Sequence, residues 1–261
     1  ARQGAHDQAL QLLALPANQA NPELAAALQR LQSGQSVAPQ PLTPARGAAA
    51  VLYGLSAVYL REHDTTDGLA TLTLTLMLDP NADHVRLAFA EAQGDLHHGD
   101  LARAALRRIA PPSPYASSAR IMEAWTLVSE DRRDEAIAMT RAAVDAGDVR
   151  AKRALADIYR DGHRDAEAET IYSELLVATP DDWRLWFARG AARERLGHAA
   201  EGEADLQHAL QLAPEQPDVM NYLGYSWVDR GEHMAEGVAM IQRAAALRPD
   251  SAAIVDSLGW A

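Results

Sequence analysis

The residues best equipped for chemistry in this chain are nine histidines, since it contains no cysteine. His63, His97-His98, His163, His198 and His233 each fall where one apolar helical run ends and the next begins. A shared metal needs ligands that converge to about 2.0–2.1 Å from one ion, whereas stacked helices sit about 8–10 Å apart. No carboxylate recurs beside these histidines at a fixed spacing, so the pattern favours polar turn residues over a metal array. Without cysteine there are no disulfides, thiol nucleophiles or cluster ligands. There is no Gly-x-Ser-x-Gly elbow, no His-Glu-x-x-His and no Gly-x-Gly-x-x-Gly after a strand. Lys152 is the single lysine among 24 basic residues, which removes a phosphate loop ending in Gly-Lys. Most of the 36 carboxylates sit at helix starts or exposed positions, where capping and solvation account for them. The expectation is a protein with no enzymatic activity, no cofactor and no metal.

The elements that carry these residues follow from composition. Of 261 residues 48% are hydrophobic but only 5% aromatic, so the apolar weight lies in Ala and Leu, which favour helix over strand. A net charge of −12 repels phosphate and disfavours nucleic acid and anionic membrane as general partners. No apolar run approaches the roughly 18 residues of a membrane span.

A period of 34 organises the chain. From Trp183 the order is Trp186, Gly190, a turn at Leu196-Gly197, Gly202, Leu206, Ala209 and Pro214. One period on come Met220, Leu223-Gly224, Trp227, Gly231, Gly237, Ile241, Ala244 and Pro249; one period back come Leu155-Ala156, Tyr159, Gly162-His163, Ala168, Tyr172 and Pro180. Weaker units keep phase, with starts near 49, 83, 117, 149, 183, 217 and 252, the last truncated. Each unit reads as two antiparallel amphipathic helices whose small residues permit close approach. Leu72-Thr73-Leu74-Thr75-Leu76 alternates like a strand, yet lies in phase between Gly68 and Pro80, and Leu69, Leu72 and Leu76 form a helical stripe. Lys152, Arg86 and Arg120 stand where a bulky apolar residue belongs, so their units are expected to be looser or shifted by one residue.

This pattern resembles the tetratricopeptide (TPR) repeat over about residues 49–261. The resemblance implies an all-α, right-handed solenoid of antiparallel helix pairs, an α-α superhelix with a concave face. Before the array, residues 1–32 read as a partial helical repeat in which Gly4 marks a turn and Asn21-Pro22-Glu23 a capped helix start. Residues 33–48, with Gly34, Pro39, Pro41 and Pro44, read as an extended linker. Export would require a segment preceding Ala1, and the array is expected to continue beyond Ala261.

In the TPR family the first-helix stripe facing the concave side commonly holds peptides. Here that stripe carries Trp125; Arg150, Arg153, Asp157 and Arg160; Arg184, Phe187, Glu194 and Arg195; Asn221, Tyr225 and Asp229; and Asp256 and Trp260. Arg, Tyr and Trp are enriched at binding hot spots. Two readings stay open: a groove for a protein or peptide partner, and Arg–carboxylate pairs that neutralise adjacent helices. The known chaperone-tail clamp and the asparagine ladder both lack their residues here.

The stretches Asn221–Gly231 and Ile254–Ala261, and the Ile109–Tyr115 break between units, resemble a group of bacterial envelope TPR proteins that includes the outer-membrane lipoprotein adaptor of a C-terminal processing protease. That likeness implies a periplasmic location, an outer-membrane anchor outside this chain, and partners such as the protease and its cell-wall hydrolase clients. A scaffold for pilus, secretion or polysaccharide assembly is the alternative.

Overall fold

A computed structural model describes residues 2–15, 21–35 and 43–261. Among them every regular element is a helix. The chain divides into two compact units, 1–143 and 144–261, a division that falls inside the expected array.

Unit 1 begins with α1 (Arg2–Leu13) and α2 (Pro22–Gln32). Gly4 lies inside α1, not at a turn: a helix tolerates glycine at modest cost where the neighbouring residues favour it. The start of α2 is built as its sequence suggests, with the Asn21 carboxamide accepting from the backbone N–H of Glu23 at 2.9 Å and of Leu24 at 3.3 Å. Next comes α3 (Pro44–Arg61), which corrects the expected linker at its C-terminal end. Pro44 occupies the first helical position, where its missing N–H costs nothing, and the Thr43 hydroxyl caps the helix by accepting from the Arg46 N–H at 3.2 Å. Residues 36–42, which include Pro39 and Pro41, lie outside the described residues.

The remaining helices of unit 1 are α4 (Thr65–Leu78), α5 (Asp83–Asp95), α6 (Gly99–Leu106), α7 (Ala116–Ser129) and α8 (Arg133–Asp145), whose last two residues cross into unit 2. The alternating Leu/Thr segment is helical. Its threonines return their hydroxyls to the helix backbone, Thr73 to the Leu69 carbonyl at 2.8 Å and Thr75 to that of Thr71 at 2.7 Å, so no polar group is stranded as Leu72 goes fully under. Arg86 keeps its phase instead of loosening α5. Its guanidinium donates to Asp83 at 2.6 Å and to the Pro80 carbonyl, so the side chain fills the apolar site while its charge is satisfied.

Unit 2 runs α9 (Val149–Asp161), α10 (Asp165–Ala178), α11 (Trp183–Arg195), α12 (Ala199–Leu212), α13 (Pro217–Arg230), α14 (Met234–Leu247) and α15 (Ala252–Trp260). Consecutive helices pack as hairpins around Leu206, Val219 and Leu223, with Ile241 and Ile254 also fully buried. Lys152 is accommodated at its expected apolar position by pairing with Glu174 at 2.7 Å. Two crossings have almost no space between backbones. A Cβ on Gly190 would stand 2.9 Å from the Gly202 carbonyl oxygen, and one on Gly224 2.7 Å from that of Gly237.

The turn histidines have a conformational role. His63, His97 and His163 have φ of 61°, 60° and 57°, the left-handed region that ends a helix, whereas His233, φ 41°, leads into α14 after Gly231, φ 70°, has ended α13. At three of these turns the next N–H bonds back to a carbonyl of the preceding helix, Asp64 to Tyr59, His98 to Gln93 and Arg164 to Tyr159, at 2.8–2.9 Å. Gly197, with φ 83°, does the same work before His198.

Candidate partner-binding surface

The expected stripe separates, residue by residue, into side chains occupied by their own fold and side chains left open. On α9 of unit 2, Arg153 is engaged: it lies 3.2 Å from Asp182 and 3.8 Å from Asp157. Asp157 in turn accepts the hydroxyl of buried Tyr172 at 2.6 Å. Burial, reinforced by the adjacent Asp157 carboxylate, pushes the Tyr172 phenol far above its ordinary range. Arg160 is half-buried, its Nε shielded from solvent without a hydrogen-bond partner. Arg195 grips Asp165 with its Nε 3.0 Å from both carboxylate oxygens, and Glu194 takes the Arg230 guanidinium at 2.8 Å and the Ser226 hydroxyl. Charge pairing therefore accounts for Arg153, Asp157, Glu194 and Arg195.

Arg150 and Arg184 differ. Each is the second residue of a first helix, one period apart, exposed and without an ion pair among the described residues. The Arg184 guanidinium rests on the Trp183 ring at 4.7 Å from its centroid. A cation in a first turn opposes the positive end of the helix dipole, so neither position is favoured by local helix stability. Phe187 belongs mainly to the core: it packs edge-on against Tyr222, with ring centroids 5.7 Å apart, over the buried Leu206–Leu223 cluster.

One repeat further on, Asn221 has its Oδ1 buried with no donor among the described residues. Tyr225 and Trp260, 39% and 53% exposed, place their rings 5.0 Å apart and line an open groove with Val255 and Asp256. Exposed paired aromatics supply contact area that salt does not screen. Trp125 lies apart, in unit 1, on the wall of a cavity with Met122, Glu91 and Glu130.

Reading by stripe missed the ion cluster that braces α11 and α12. Asp205, 3% exposed, accepts Arg189 through both oxygens at 2.7 Å and Arg193 at 2.9 Å, while Arg193 also reaches Glu169 at 2.7 Å. The four-residue spacing of Arg189 and Arg193 on one helix face was the available signal. Among the described residues no three His, Asp or Glu side chains converge as a metal site.

Residues 155–221 match the family model described as tetratricopeptide repeat. No curated protein matches the sequence. A tetratricopeptide repeat protein from Parabacteroides merdae aligns over 98% of each chain with a TM-score of 0.66 at 15% identity. PilW, described as a widely conserved type IV pilus biogenesis factor, covers 80% of this chain and 98% of its own, with a TM-score of 0.60 at 17% identity. The pilF protein of Pseudomonas aeruginosa covers 84% of this chain and 100% of its own, with a TM-score of 0.57 at 14% identity. Identities this low speak for shared fold alone. The chain therefore has the fold of the tetratricopeptide repeat proteins, and residues 155–221 carry that family's sequence pattern.

Proposed function

We propose that this chain is a non-catalytic protein-binding module whose unit 2 receives a carboxylate-bearing segment of a partner protein. The observation that carries the reading is the pair Arg150 and Arg184, two exposed arginines at equivalent places in successive repeats, neither in an ion pair among the described residues. Around them most other charged groups of the stripe are consumed by internal pairs. A partner carboxylate supplies what these arginines lack. Tyr225 and Trp260 take an apolar side chain.

In the cell we assign the module the role of an envelope adaptor, exported and anchored by a segment outside this chain, that brings a processing protease to cell-wall hydrolase clients. The support is the likeness of Asn221–Gly231 and Ile254–Ala261 to that group of envelope proteins. The fold shared with PilW, described as a type IV pilus biogenesis factor, favours a second reading, a static scaffold in pilus assembly. The two differ in a rate. An adaptor raises the effective concentration of two partners, so client cleavage accelerates with adaptor concentration and then falls at excess, when protease and client occupy separate copies. A cleavage rate that never responds, with binding of both partners demonstrated, leaves the scaffold reading.

A further inference from the structure

Unit 1 holds an unassigned cavity of 690 Å³ whose character is opposite to the arginine-bearing surface of unit 2. Three rings wall it. Tyr53 meets His84 edge-on with centroids 5.0 Å apart, and His84 stands 6.3 Å from Tyr115. Tyr115 is only 7% exposed, so its ring is a fixed wall, and the nearby Glu23 carboxylate adds to burial in pushing its phenol pKa up. Glu23 comes from the first turn of α2 and lies 3.6 Å from the His84 Nδ1. Glu91 stands exposed on α5 and lines this cavity and also the adjoining one, of 380 Å³, that holds Trp125.

Among the described residues no arginine or lysine lines either cavity, and neither Glu23 nor Glu91 pairs with one. Glu130, in the adjoining cavity, is by contrast already neutralised by Arg103 and Arg132. Aromatic faces and two unneutralised carboxylates together attract a positive charge: the rings through their quadrupoles, the carboxylates through Coulomb attraction and charge-assisted hydrogen bonds. An anion is repelled there. A bare metal ion lacks a converging ligand set among the described residues.

We infer that the Tyr53–His84–Tyr115 cavity of unit 1, with Glu23 and Glu91, is a binding site for a cationic side chain, arginine or lysine, presented by a protein partner. The site stands on unit 1 alone and is independent of the carboxylate reading of unit 2. If both sites are used, the chain holds two partner segments of opposite charge.

The test uses the full chain and a fluorescein-labelled nine-residue Gly/Ser peptide carrying three arginines, with an all-Gly/Ser peptide as control, titrated by fluorescence anisotropy near 0.15 M salt. At that ionic strength the screening length is about 8 Å, so general attraction to an acidic protein is damped. Three variants are compared: Glu91→Gln in the cavity, Tyr53→Leu in its wall, and Glu201→Gln, which makes the same charge change at an exposed site in unit 2. The arginine peptide binds and the neutral one does not; Glu91→Gln and Tyr53→Leu each weaken binding about twofold to fivefold, and Glu201→Gln leaves it unchanged. Equal weakening by Glu91→Gln and Glu201→Gln overturns the inference, as does binding indifferent to Glu91→Gln. Circular dichroism checks that Tyr53→Leu keeps its helicity; if it does not, Glu91→Gln alone decides.

Discussion

Replacing Gly224 by alanine adds one methyl group in a place where the structure has no room for it. The new Cβ would stand 2.7 Å from the Gly237 carbonyl oxygen, 3.0 Å from Ile241 Cγ1 and 3.2 Å from Met240 Cβ. The nearest atom is backbone, so α13 and α14 must separate. In a helix, alanine gains about 1 kcal/mol over glycine in propensity. Separating packed backbones costs about 1–3 kcal/mol directly, and the buried Leu223 and Ile241 lose contact as well. The net expectation is a destabilisation of about 1–2 kcal/mol. Gly54 and Gly259 supply the controls, because both are helical and a Cβ at either meets nothing within 4 Å. There the propensity gain stands alone, about 0.5–1 kcal/mol of stabilisation, less at the helix end that holds Gly259. Urea unfolding followed by circular dichroism orders the three variants, and amide exchange in α13 localises the effect, which matters because repeat arrays need not unfold in two states. A Gly224→Ala protein as stable as Gly54→Ala would refute the claim that this glycine exists to let two backbones meet.

Two further outcomes follow from the same structure. Asp205→Ala leaves the guanidiniums of Arg189 and Arg193 facing a largely buried gap, and should cost about 3 kcal/mol in urea unfolding, whereas removing exposed Glu236 should cost almost nothing. Burial and the neighbouring Glu23 push the Tyr115 phenol from its ordinary value near 10 up to about 12. A raised acid pKa favours the protonated folded state, so that contribution is complete below pH 10 and is lost between about pH 10 and 12; stability should fall across that window, and Tyr115→Phe should flatten the fall.

Much of the helical frame was legible because its cause is periodic. Closely spaced apolar and small residues recur every 34 positions, and first helices start at Asp83, Val149, Trp183, Pro217 and Ala252, where that period puts them. It slipped at Ala116, after a Pro-rich break, and at Pro44, where a proline that reads as a helix breaker is instead its first residue. The surface chemistry was less legible because partners come from other repeats. Nothing in the sequence separates Arg150 from Arg153; the difference is Asp182, which lies 29 residues from Arg153 in the chain and 3.2 Å from it in space. Tyr53, His84 and Tyr115 recur about 31 residues apart, but one of the two carboxylates of the cavity they form is Glu23, on a helix outside the periodic pattern.

Unit 2 of this acidic protein is proposed to bind acidic partner segments through Arg150 and Arg184, which make no ion pair among the described residues. A fluorescein-labelled nine-residue peptide carrying three glutamates and one phenylalanine, titrated against the full chain, tests it most directly. The native chain should bind this peptide despite its net charge of −12. Arg150→Glu combined with Arg184→Glu should weaken binding about tenfold to a hundredfold, the equivalent of about 1–3 kcal/mol, with helicity unchanged and with the loss shrinking as salt is raised. Binding of equal strength in the double variant, or no preference over an uncharged peptide in the native chain, would contradict the account.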